Sequence, residues 1–594
     1  MKIQPSLQSL QQCYLYCYDD IRKKYPLPSK KLTGERNAFS AWILHEGIDA
    51  LTKQLPSIGK QLPQIVEGND YTFANYTGKK KTVYGIGNIP VLFSDLLIPL
   101  IEIRQSVPST YIAEIFADLT QFFLLFYKLE LPVEDESSHV VYYKAVQDEL
   151  AEHASKRKHI YKTSPARIAQ SVIGDLLPRK RFTYDKLIPK PGPGATADHL
   201  KQWEKNKPTA YYQQLARVFK YEEFFSTLPF GLCNPHELPV KEPCSRGIFV
   251  PKDSRGPRLI SAEPAEYMMC QQALMGYMVG TIEERSENVN FLDQSINQRL
   301  VSEASQDQQL ATVDMKEASD RVTVDLAEHI IRKTNPELWI ALAASRTGVT
   351  KFGDITVQNA SFGPMGSATT FPVEALVFYA LCVEALVRQG CDYSIALKSV
   401  YVYGDDIIIP VKYMDFALDF LERYDLVVNR QKSFSKGFFR ESCGMDMYFG
   451  CVTTPLYIRQ LPKHSNQSTL AYSNTLWKKG FWLTATYLHR RDAVGTSDGQ
   501  RFTFMDANPR TRPSDYRWNP ILQRFEYRIY VSTSNKKAAP DDLGSLFAVL
   551  NGYRIGGTTL GNQPGSTMYD VRNTSKNKTS WVAFKPEKRY ANES

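Results

Sequence analysis

Two adjacent carboxylates, Asp405 and Asp406, follow Gly404 between two strand-forming runs, Tyr401-Val402-Tyr403 and Ile407-Ile408-Ile409. β-Branched and aromatic runs around a Gly-Asp turn predict a tight hairpin. The second run is apolar at every position, which predicts a strand buried on both faces. Gly and Asp are ordinary turn residues, but a plain solvated turn does not explain such hydrophobic flanks. Like charges at the tip of a buried hairpin repel and are costly to hold without a cation. A third acid lies upstream. The run from Gln309 to Asp314 predicts a strand ending in an acid, and it leads through Ser319-Asp320 into an apolar helical spacing at Val324, Ala327, Ile330 and Ile331. Ser319 or Thr323 is the expected helix cap. Asp314 beside the Asp405 hairpin offers hard oxygen ligands for two Mg²⁺ ions. Two ions about 3.5–4 Å apart activate the attacking oxygen and neutralise the departing one in an in-line displacement. Phosphoryl transfer asks little more of a protein than such positioning and charge stabilisation.

The positioning elements come in a fixed order: acid-tipped strand, small-residue loop, apolar helix, carboxylate hairpin. The loop runs over 361–370 and includes Gly363, Gly366, Ser367 and Thr370; an apolar helix follows over 371–385. Glycines before a helix N-terminus let backbone amides approach a nucleotide or nucleic-acid backbone. Three zones are expected. Residues 1–240 are mostly helical in pattern, 240–460 hold the chemical motifs, and 465 onward is polar and aromatic with Gly/Asn/Ser-rich loops. The finer division is 1–110 as an N-terminal region on the fingers or thumb side, 111–240 as fingers, 241–464 as palm with a fingers insertion, and 465–594 as thumb and tail. The hand names follow from the resemblance given below.

At 594 residues the chain exceeds what one hydrophobic core organises, and 43% hydrophobic with 23% charged residues is the balance of an ordinary globular protein. The longest apolar stretches, 88–103 and 116–129, are interrupted by Asp95, Asp118 and Lys128, so buried helices are expected rather than membrane spans. The first residues carry no apolar core or cleavage site of a leader, and nine singly scattered cysteines fit a reduced compartment. The net charge of +9 is concentrated: residues 151–220 hold fifteen Lys/Arg against five Asp/Glu. Aromatics interleave there (Tyr161, Phe182, Tyr184, Trp203, Tyr211, Tyr212), which predicts a surface following a phosphate backbone and stacking on bases.

These residues resemble motifs A, B and C of viral RNA-directed RNA polymerases, with Asp314 and Asp320 matching the paired acids of A, Gly366 and Thr370 the loop of B, and Tyr403-Gly404-Asp405-Asp406 motif C. More narrowly, the run 293–299, the words Ala311-Thr312-Val313-Asp314 and 402–408, and the turn 439–444 resemble the Qβ-like replicase subunit of levivirus-type RNA phages, over about 240–460. The resemblance implies an α+β right-hand polymerase with fingers, palm and thumb and an antiparallel-sheet palm. It implies Asp314 and Asp405 as principal ligands of two Mg²⁺ ions (Mn²⁺ able to substitute), Asp406 in support, and Asp320 sensing the ribose hydroxyls. Gly366, Ser367 and Thr370 would line the nucleotide site. Where many viral polymerases carry Asn in motif B, Glu374 stands here, a departure that fits the phage subgroup. The segment 250–258 resembles the basic motif F, with Lys252, Arg255 and Arg258 on triphosphate oxygens. Residues 429–432 resemble motif D, with Lys432 protonating the leaving pyrophosphate.

The resemblance further implies RNA template and product and NTPs as partners. It implies host elongation factors Tu and Ts and a small-subunit ribosomal protein, no membrane, and the cytoplasm of the bacterial host. Two other readings share the palm. A reverse transcriptase usually has a different residue where Gly404 stands and an aromatic gate where Asp320 stands. A non-catalytic RNA-binding protein would bind RNA with steep salt dependence and incorporate nothing.

Overall fold

The computed structural model describes residues 7–103, 106–131, 136–201, 204–225, 233–253, 256–459 and 466–492, with the strands Tyr516–Asn519, Arg524–Ser532 and Asn577–Ala583. Arg255, Trp203 and most of the zone from 465 lie outside these residues. The architecture is mixed α+β, and strand pairing is antiparallel except where Ser245–Asp253 runs parallel to Val349–Phe352.

At the centre, the strand Asp406–Pro410 pairs antiparallel with both Tyr401–Tyr403 and Leu310–Val313. Its run of isoleucines is buried on both faces. Ile407 and Ile409 enter a large core with the helix Thr370–Arg388, whereas Ile408 packs oppositely against Leu300, Val301 and Met447. The period of two sends successive side chains to opposite sides, so each of these helix layers depends on this one strand. The helix Thr370–Arg388 is long and apolar enough to cross a membrane, but 89% of its most apolar window is buried inside the protein. The reading of 88–103 as one helix is corrected, because it starts in a strand, Gly87–Pro90, and becomes helical at Ser94–Ile103. Thr323, not Ser319, caps the helix Val324–Ile331, its side chain accepting from the Leu326 amide.

A second core joins distant parts of the chain. The helices Leu7–Lys24, Ser94–Ile103 and Thr110–Leu124 pack with Phe434, Phe439 and Tyr448 and with residues of Asn466–Lys478 and Trp482–Asp492. Asp20 caps the last of these helices across the interface, accepting from the Leu483 and Thr484 amides at 2.8 and 2.9 Å. A buried guanidinium ties this lobe to the central sheet. Arg440 donates to the carbonyls of Leu310, Ser435, Lys436, Gly437 and Phe439. Glu67 accepts from the Phe439 amide at 3.1 Å and lies 3.9 Å from Arg440. Burial pushes the Glu67 carboxyl up to about 8, so near neutrality it acts mainly as a neutral hydrogen-bonding group.

Among the described residues, the basic segment 151–220 does not present its aromatics as stacking platforms. Phe182 and Tyr212 are buried, and Tyr161, Tyr184 and Tyr211 pack against the large core. The alternation of rings and charges arises because the segment wraps this core, rings inward and cations outward. Arg157 is turned inward with them, paired to Asp325 and Asp425 at 2.9 Å each.

Arg440→Met should cost about 3–5 kcal/mol, the usual loss when a buried charge is removed from its partners. Glu67→Gln, which keeps a neutral hydrogen-bonding group, should cost under about 1 kcal/mol. Chemical denaturation of both variants checks this order; equal losses would contradict it.

Candidate active site

Pairing of Ile407 with Val313 and Ile408 with Thr312, carried one residue further, brings Asp314 opposite Asp406 across neighbouring strands. Asp406 itself pairs with Tyr403, so Gly404 and Asp405 form the turn. Gly404 has φ +63, and a Cβ there would lie 2.3 Å from the Phe371 ring, so both the turn and its packing require glycine. Asp405 is exposed at the tip, and Asp314 and Asp406 are half-buried beside it. Burial and Asp405 push the Asp406 carboxyl up to about 7, with Glu441 and Asp314 adding to the shift. Burial also raises Asp314, against the opposing pull of Lys432 and of Asn429, which donates to Asp314 Oδ2 at 2.7 Å. Ser433 Oγ accepts from the Asp314 amide.

Asp320 stands on the short helix Ala318–Arg321, entered through Glu317 in the left-handed region at φ +48. It is half-buried, and burial with Glu317 raises its carboxyl to about 7. Glu374, one turn into Thr370–Arg388, is buried, and its carboxyl is raised well above normal, by burial first and then by Asp405 and Asp320. A continuous acidic field therefore runs from Asp406 and Asp314 through Asp405 and Glu374 to Asp320. In the sequence Glu374 stands out only as a departure from motif B, not as a site residue. Asn429 lies in the 429–432 run, where the sequence alone gives it no role. Their signals lay in three-dimensional proximity, not in the spacing of either residue.

The small-residue loop is built for close approach. Gly366 has φ +124, and a Cβ would lie 2.2 Å from the Ser261 carbonyl oxygen. The Ser261 amide donates to the Met365 carbonyl at 2.7 Å, fastening the loop to the end of the strand Gly256–Ala262. Thr370 Oγ1 lies 3.0 and 3.2 Å from the carbonyl oxygens of Gly363 and Pro364, within donating distance of both, and Ser367 Oγ lies 3.1 Å from Thr369 Oγ1. Both hydroxyls are engaged in holding the loop. Lys252 and Arg258 are exposed on the twisted hairpin Ser245–Asp253 with Gly256–Ala262. Lys432 is exposed, lies 3.8 Å from Glu441 and feels Asp314, and both acids raise its pKa. The hairpin cations thus sit on a different element from the acids, whereas Lys432 shares their field.

Among the described residues no three Asp, Glu, His or Cys side chains converge closely enough to hold a metal ion as they stand. The donor set nevertheless suits a hard divalent cation: all oxygen, one member open to solvent, and Asp405 raising the pKa of both Asp314 and Asp406.

Residues 236–477 match the family model for the RNA replicase β-chain. The chain is 33% identical over 218 residues to the RNA-directed RNA polymerase subunit beta of Escherichia virus Qbeta, covering 36% of each chain. It is 32% identical over 248 residues to the subunit of the same name of Enterobacteria phage SP, covering 41% of each. With the RNA-directed RNA polymerase beta chain of Escherichia phage MS2 it shares 33% identity over 215 residues, 36% of this chain and 38% of that one. The chain thus aligns with well under half the length of these relatives. The resemblance read from the motifs holds over this central segment.

In metal-free buffer the raised acids have a definite stability signature. A carboxyl whose folded pKa lies above its unfolded value near 3.8 binds protons more tightly when folded. Stability should therefore rise as pH falls from 8 to 6.5 in the presence of a chelator, with Asp320 and Asp406 acting in the same direction. Asp406→Asn should shrink the thermal-melting difference between these two pH values, by about a degree or two. An unchanged difference would contradict the assignment of this proton to Asp406.

Proposed function

We propose that this chain, replicase-like over its central 236–477 segment, is an RNA-directed RNA polymerase that replicates a phage RNA genome from NTPs. The observation that carries the reading is the register that sets Asp314 across from Asp406, with Asp405 open at the tip. In the same reading the central sheet and its helices are the palm of a right-hand polymerase, and the hairpin Ser245–Asp253 with Gly256–Ala262 belongs to the fingers.

Asp314, Asp405 and Asp406 would hold two Mg²⁺ ions, or Mn²⁺ in their place, after rotation of side chains that the open tip allows. When bound, such ions supply charge neutralisation at the reacting phosphate. The chain's own residues do the rest. Asn429 holds one oxygen of Asp314, leaving the other for a ligand. Asp320 accepts from a ribose hydroxyl of the incoming nucleotide, since a 2′-OH is both donor and acceptor. Gly366 lets the backbone come close to that nucleotide, while Ser367 and Thr370 keep the loop in shape. Lys252, Arg255 and Arg258 engage the triphosphate. Lys432, whose proton is held more tightly than usual, delivers it to the leaving pyrophosphate. By family analogy elongation factors Tu and Ts and a small-subunit ribosomal protein are partners, in the cytoplasm of a bacterial host.

Asp405→Asn should abolish NTP incorporation on an RNA template while leaving the circular dichroism spectrum unchanged; full activity in the variant would overturn the assignment. Asp320→Ala should lower the preference for rNTPs over dNTPs by about tenfold or more, the worth of a hydrogen bond to a charged group. An unaltered preference would remove Asp320 from ribose selection, and a wild-type preference for dNTPs would favour a reverse transcriptase.

A further inference from the structure

Next to Lys432, which feels Asp314, lies a cationic and aromatic cluster whose other members belong to none of the polymerase motifs. It begins where the segment 456–459 is strapped along the end of the helix Thr110–Leu124. The Leu456 amide donates to Gln121 Oε1 at 2.8 Å, the Ile458 amide to the Leu125 carbonyl at 2.8 Å, and the Glu130 amide to the Arg459 carbonyl at 2.8 Å. This strap sets Tyr127 against Tyr457, with ring centroids 6.1 Å apart. Each ring carries an ammonium: Lys60 Nζ lies 3.8 Å from the Tyr127 centroid and Lys128 Nζ 4.0 Å from that of Tyr457. Tyr127 Oη donates to Asp253 Oδ2 at 3.4 Å, tying the cluster to the tip of the hairpin that bears Lys252.

The charges in this cluster are not balanced among themselves. Lys128 is half-buried, and its pKa is lowered by burial and then by Arg459 and Lys432. Among the described residues neither Lys128 nor the exposed Arg459 has an acid within ion-pair distance. Three acids face the group: Asp253, which accepts from Tyr127, and Glu441 and Asp446. Glu441 lies 3.8 Å from Lys432, and burial, then Glu441, raises the Asp446 carboxyl. Lys432 in turn feels Asp314. Lys128, partly desolvated and held over a ring, costs stability unless an anion completes it.

We propose that Lys128, held against the Tyr457 ring, Arg459 on the strap beside it, and Lys432 form a second phosphate-binding site. Its ligand is a phosphate of the polymerisation substrates, either the polyphosphate of an NTP or the backbone of an RNA strand. The inference rests on the polymerase reading for the identity of these substrates. Each ring holds an ammonium on one face, and the cations beside it suit a phosphate.

The test uses the full chain with Lys128→Gln, Arg459→Gln and the double variant. In metal-free buffer, binding of inorganic tripolyphosphate is measured by calorimetry and binding of a single-stranded RNA oligomer by fluorescence anisotropy across a salt series. The double variant should weaken one probe by about tenfold or more, as expected for charge-assisted contacts. If the source is the NTP, tripolyphosphate binding falls and the KM for NTPs rises with kcat unchanged. If it is the RNA backbone, RNA binding falls and its salt slope shrinks by about one per cation removed. Both probes binding within twofold of wild type would overturn the proposal. Arg459 is exposed, so its variant should fold as wild type, and Lys128→Arg should restore binding. The binding arms are read without turnover; a wild-type chain that binds but never incorporates NTPs counts against the polymerase reading, not against this site.

Discussion

The antiparallel register of three short strands is the constraint on which the rest depends. Because Ile407 stands across from Val313 and Asp406 across from Tyr403, acids separated by about ninety positions in the sequence are forced into one electrostatic field. A slip of one residue would send the side chains to the wrong faces, exchanging the isoleucines between their two cores. The burial of Ile407, Ile408 and Ile409 fixes the register, and the register fixes the acids. Hydrophobic burial at these positions holds together charges that would otherwise move apart, and desolvation first, with Asp405 among the acids that add to it, raises the pKa of Asp406 and Asp314.

Around this constraint the fold supplies supports of a different kind. The helix Thr370–Arg388 wedges Phe371 under Gly404 and carries Glu374 between Asp405 and Asp320. Asn429 and Ser433 steady Asp314 from a segment more than a hundred residues later. The N-terminal helices take part through Glu67, Arg440 and the aromatic cluster around Phe439 and Tyr448, so the strand Phe439–Ser442 is braced from the far end of the chain. The cations follow the opposite logic. Lys252 and Arg258 sit on a separate hairpin, and Lys432 at the rim is near enough to feel Asp314 and Glu441.

The sequence is most legible where local rules suffice. Strand-forming runs around Gly404-Asp405 yield a hairpin, the isoleucine run yields a strand buried on both faces, and the small-residue loop yields a helix start at Thr370. It is least legible where meaning comes from contact. The aromatics of the 151–220 segment read as nucleic-acid platforms because composition records that rings and cations alternate, not which side the core occupies. Glu374 looks like an ordinary member of a buried helix until Asp405 and Asp320 are seen beside it. Tyr127, Lys128 and Tyr457 carry no motif at all, since their proximity is created by the strap that joins 456–459 to 121–130.

The central claim is that acids from two separate strands meet around divalent ions. Crystals grown without metal and soaked in Mn²⁺ would give anomalous scattering at the ion positions. Density flanked by Asp314 and Asp405, lost in Asp314→Asn crystals, is the predicted result. Ordered Mn²⁺ elsewhere with none between these two carboxylates would contradict the account.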